Sequence, residues 1–115
     1  MSNFAEDFIA DLETYATGSY LRDDEKEHWT QPYDPSALPQ LKALINAFCN
    51  KVTADPDAAV VAAADFIQKV NDFNHAHGYA VIEYEEKNEL QGFIRSTLYN
   101  AGVEDEALKT LPEFE

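Results

Sequence analysis

Basic residues are scarce in this chain: 8 lysines and arginines stand against 22 aspartates and glutamates in 115 residues, a formal net charge of -14. Such a surface repels phosphate backbones, which excludes direct nucleic-acid binding as an expected role. Long apolar runs are also missing. The longest, Ala58 to Ala64, is broken at once by Asp65, far short of the roughly 20 residues that a membrane helix needs, so no membrane span is expected. One cysteine, Cys49, cannot form an internal disulfide, in keeping with a reducing compartment. The opening residues carry neither a basic start nor an apolar stretch, and a cytoplasmic location is expected. The four glycines are scattered singly and build no phosphate-cradling loop.

What the chain does have is material for a core. Hydrophobic residues make up 45% and aromatic residues 12%, enough for residues 1–115 to fold as one domain. Helical spacing recurs in four places. Phe4, Phe8, Ile9, Leu12, Tyr15 and Ala16 form one face, with Asn3 as the expected cap and Gly18 as the stop. Pro35 to Ala54 contains no acid and carries Leu38, Leu41, Leu44, Ile45, Phe48, Cys49 and Val52, which marks it as the central helix. Asp55-Pro56 reads as an N-cap followed by proline at the first helical position. A third helix runs on from it through Val60, Val61, Ala64, Ile67, Val70 and Phe73 towards Gly78. Tyr79 to Tyr84 leads into a fourth, with Leu90, Phe93, Ile94 and Leu98 on one side and Gly92 placed for a close approach by a neighbour. One short turn follows between Glu104 and Thr110.

The predicted fold is therefore an all-α, single-domain bundle of four main helices plus a short C-terminal helix and a long aromatic loop after the first helix. That loop, Ser19 to Pro39, contains Pro32, Pro35 and Pro39, a helical turn expected around Asp23 to His28, and the rings of Tyr20, Trp29 and Tyr33. Trp29 is expected to fold inward over the helices; the alternative is an outward anchor beside Tyr20 and Tyr33.

Two sets of side chains invite chemistry. His75 and His77, with Asp72, Glu25 and His28, are candidate ligands for a transition metal. Positions i and i+2 point about 200 degrees apart on a helix, so His75 and His77 fit a favourable interaction with a helix C-terminus better than a shared metal. No cofactor is expected. The glutamates at 83, 85, 86 and 89 fit a solvated helix face, and Cys49 fits a small buried hydrophobe better than a nucleophile.

Tyr33 and Pro35 leading into Leu44 to Cys49, then Phe66 to Asn74 with Gly78, Glu83 to Arg95, Ala101-Gly102 and the acidic turn Glu104 to Leu108 together resemble a family of small, acidic, all-helical bacterial proteins of unknown function. The likeness covers residues 33–115. It implies an all-helical fold and carries over no catalytic residue.

The function expected from charge and aromatic content is non-enzymatic: a protein-binding module of the inhibitor or immunity type, steered to a basic partner protein. Tyr20, Trp29, Tyr33, Asp23, Asp24 and Glu25 are its candidate contact residues. The alternative is a metal-dependent enzyme using the histidines and carboxylates named above.

Overall fold

The computed structural model describes residues 4–115. Its helices are α1 (Phe4–Thr17), α2 (Asp23–Lys26), α3 (Leu38–Ala54), α4 (Ala59–Ala76), α5 (Tyr84–Asn100) and α6 (Asp105–Leu108). No strand occurs among the described residues, and the fold is all-α. The expected cap at Asn3 lies outside the described residues.

The acid-free helix is central. α3 packs against α1, α4 and α5, and Leu38, Leu41, Ile45, Phe48 and Val52 are buried along it. A chain of phenylalanines links all four long helices through this point. Phe48 stacks on Phe66 of α4 at 5.0 Å between ring centroids and meets Phe93 of α5 edge-on at 6.0 Å. Phe93 in turn stacks on Phe4 of α1 at 4.1 Å, and Phe4 lies 5.3 Å from Phe8. Such pairs add about 0.5 to 1.5 kcal/mol each beyond the area they bury.

The face of α4 is rotated from the one expected. Val61 is 72% exposed, and Val60 and Ala64 are only half-buried, whereas Ala59, Ala62, Ala63, Phe66, Ile67, Val70 and Phe73 face the core. The largest side chains of the Ala58 to Ala64 run do not mark the inner face, which the alanines at 59, 62 and 63 occupy. Asp55 gives no side-chain cap. A 3-10 turn over Pro56–Ala58 starts the segment instead, with the Ala58 amide donating to the Asp55 carbonyl at 3.0 Å. Leu44 and Phe93 are half-buried at the margin of the core.

Four core positions lie outside any helix: Tyr33, Val81, Ile82 and Phe114. Their backbone polar groups need partners that helical bonding cannot supply, and asparagines of α4 supply some of them. The Asn74 amide donates to the Ile82 carbonyl and its oxygen accepts from the Ile82 amide, both at 2.9 Å. One turn earlier, Asn71 donates to the Glu113 carbonyl at 3.1 Å and accepts from the Glu115 amide at 2.9 Å, which seats Phe114. Both asparagines are buried.

Gly92 has open space where a side chain would go, with nothing within 4 Å of an added Cβ. The close approach expected at this glycine is absent, so its residual effect is the loss of helix propensity. Gly92→Ala is expected to stabilise the fold by about 0.5 to 1 kcal/mol in urea denaturation. Asn74→Ala leaves two buried backbone groups of Ile82 unpaired and is expected to cost about 2 to 4 kcal/mol in the same measurement.

Candidate functional site

A cleft of about 640 Å³ opens between the end of α1, the loop that follows it and the segment that starts α5. Its construction begins at Gly18. This residue ends α1 at φ +71, a conformation that side chains disfavour, and the Trp29 indole lies directly over it. A Cβ added at Gly18 would stand 3.1 Å from two indole carbons. The loop is then tied back to α1 by two side chains. Gln31 donates to the Ala16 carbonyl, one of the groups left open at the helix end, and the Tyr33 hydroxyl donates to the Leu12 carbonyl, both at 2.8 Å.

The opposite wall is set by the turn after α4. Gly78 and Tyr79 both adopt positive φ, +66 and +62. For tyrosine this costs roughly 1 to 2 kcal/mol, offset by its amide donating to the Asn74 carbonyl at 2.8 Å and by a 2.7 Å hydrogen bond between its hydroxyl and His75 Nδ1. The Asn74 clamp on Ile82 follows immediately. Together these place Ala80, Glu83, Tyr84 and Glu86 along the cleft.

Aromatic rings supply much of the surface. Tyr15 and Tyr20 meet at right angles, with centroids 5.8 Å apart and planes at 81°, and both are exposed. Trp29 is half-buried, one side on Gly18 and the rest lining the cleft. Tyr33 is buried and Tyr84 is 78% exposed. Carboxylates complete the lining at Glu83, Glu85 and Glu86, and Asp11 and Glu89 extend the acidic seam between α1 and α5.

Ion pairing does not neutralise this seam. The ion pairs among the described residues are Arg22–Glu25, Lys51–Asp65 and Lys69–Asp65, all elsewhere. Burial pushes the Glu86 carboxyl above its usual range, and the charges of Glu83 and Glu89 add to the shift. Glu89 is raised by partial desolvation and by Asp11 and Glu85. Tyr15 is raised by the same causes, with Asp11 the strongest of four neighbouring acids. Burial also raises Tyr33, so its hydroxyl stays a donor to Leu12.

The expected contact residues divide. Tyr20, Trp29 and Tyr33 come together here, with Tyr33 as buried wall rather than exposed anchor. Asp23, Asp24 and Glu25 lie on α2 and do not line the cleft. Glu25 instead accepts from the Arg22 amide and Nε at 3.2 Å, closing a local helix start. Tyr15, Tyr84 and Glu86 are additions. Spacing had assigned Tyr15 to the core and Glu86 to a solvated face, and both sit at the border between the two.

The metal candidates are not brought together: among the described residues no group of three or more His, Cys, Asp or Glu side chains could hold an ion. His75 is bonded to Tyr79, the His77 ring packs against Phe73 at 4.6 Å, Asp72 accepts from Gln68 at 3.2 Å, and His28 is exposed in the loop after α2. Cys49 is half-buried, and burial raises its thiol, the opposite of activation.

The raised carboxyls fix a pH dependence. A carboxyl whose pKa is higher in the fold than in the unfolded chain destabilises the fold when ionised, and that penalty fades as pH falls towards its usual value of 4.5. Asp34 and Asp65 are lowered instead, the first by the Ser36 amide and the second by Lys69 and Lys51, so their stabilisation is lost only below about their usual 3.8. The melting temperature is expected to rise as pH is lowered from 7 to about 5 and to fall in stronger acid. Glu89→Gln is expected to raise it at pH 7, with the gain shrinking towards pH 5 in thermal scans.

No protein-family model, no curated protein and no solved structure matches this chain.

Proposed function

We propose that this protein is a non-catalytic binding module, of the inhibitor or immunity type, that captures a basic partner protein through the cleft between α1 and α5. The observation that carries the reading is the pairing of exposed tyrosines with carboxylates held close together and in no ion pair among the described residues. Stability alone does not favour such a seam, since raised carboxyls weaken the fold at neutral pH. Binding sites commonly retain features of this kind. A cationic surface laid on the seam would neutralise it, and the net charge of -14 would speed the encounter. Tyr20 and Tyr84, large and amphipathic at the rim, suit the role of contact residues.

The test is affinity capture from the native host at low and at physiological salt. A basic protein retained in a stoichiometric complex, released by salt and recovered less well by a Tyr20→Ala, Tyr84→Ala variant, is the expected result. Retention of no basic protein at either salt concentration overturns the reading. For the inhibitor version, the enzymatic activity of the captured protein falls when this chain is added.

A further inference from the structure

The cleft has features that bear on which basic group it takes. Two of its rings, Tyr15 and Tyr20, stand near perpendicular, and the Trp29 indole packed on Gly18 and the buried Tyr33 line the same cleft. A corner of aromatic faces attracts a cation through the ring quadrupoles, more strongly once water is excluded. Beside it stand Glu83 and Glu86, neither of them in an ion pair among the described residues. The volume of about 640 Å³ exceeds what one side chain fills, so part of a partner loop can enter along with its anchor.

We propose that the cleft is a receptor for an arginine side chain of the basic partner, with the guanidinium stacked against the aromatic corner and its N–H groups donating to Glu83 and Glu86. This rests on the basic-partner reading and narrows it. Arginine fits better than lysine on two physical grounds. The planar guanidinium can lie on a ring face and donate to a carboxylate at its edge at the same time, whereas an ammonium is a compact point charge. The guanidinium is also more weakly hydrated, so it loses less on entering a partly apolar cleft.

The sole tryptophan lines the cleft, so its emission reports occupancy directly. The full chain is titrated with oligoarginine and with oligolysine of equal length, in wild type, a Glu83→Gln, Glu86→Gln variant and a Tyr20→Ala variant. A Glu104→Gln, Glu106→Gln variant loses the same charge at exposed positions away from the cleft. The expected result is a shift in Trp29 emission with oligoarginine, and binding about tenfold tighter than for oligolysine. That preference is expected to disappear in both cleft variants and to survive in the control. Equal affinity for the two peptides, weakened alike by cleft and control substitutions, overturns the arginine assignment and leaves the basic-partner reading standing. Binding of neither peptide also overturns the assignment; the salt-resolved capture experiment then decides the broader reading independently.

Discussion

Buried backbone outside a helix has to find hydrogen-bond partners, and this fold meets the requirement with a few side chains projecting from its helices. The Asn74 amide bonds both backbone groups of Ile82, a pairing like one rung of a sheet provided by a side chain. Val81 and Ile82 can be buried between α4 and α5 because of it. Asn71 treats the last residues the same way, whereas the loop after α1 is tied by its own side chains, Gln31 and Tyr33 donating to the Ala16 and Leu12 carbonyls of α1. No buried side-chain nitrogen or oxygen among the described residues is left without a partner. Without these ties the connections would lift from the core, leaving helices whose mutual packing is set mainly by α3.

The cleft follows from this arrangement. Two irregular segments complete its walls beside α1 and α5, and each is anchored to a long helix: Trp29 to Gly18 and Tyr33 to Leu12 on one side, Tyr79 and Ile82 to Asn74 on the other. A concave surface is thereby held on a rigid frame, which lowers the ordering cost of binding. The acids of the cleft and its seam lie on α1, on α5 and just before α5. The central helix, surrounded by other helices, carries none.

The helical framework was legible because it depends on local signals. Apolar spacing marked α1, α3 and α5, and Gly18 stopped its helix as expected. What spacing could not reveal was anything that depends on who faces whom. Val60 and Val61 outweigh alanine in hydrophobicity, yet Ala59, Ala62 and Ala63 are the residues of this run that lie inside. Asn71 and Asn74 resemble ordinary polar positions until the segments at 82 and 113–115 are laid over them. Gly92 shows the converse, a glycine whose position implied a neighbour that the packing does not provide. For the cleft, the loop aromatics were identifiable from sequence, while Tyr15 and Glu86 were not, because their neighbours come from opposite ends of the chain.

Trp29 shows why inward and outward are not exclusive choices for a residue in such a connection. An indole is large enough to cover Gly18 with one part of its surface while another part faces the cleft. The glycine is required twice at this point: its positive φ ends α1, and its missing side chain makes room for the ring. The position of the ring sets the path of the loop to Gln31 and Tyr33, which return to the carbonyls of the same helix. Helix stop, loop anchor and cleft wall are therefore one structural unit. A change at Gly18 would reach the cleft through the indole.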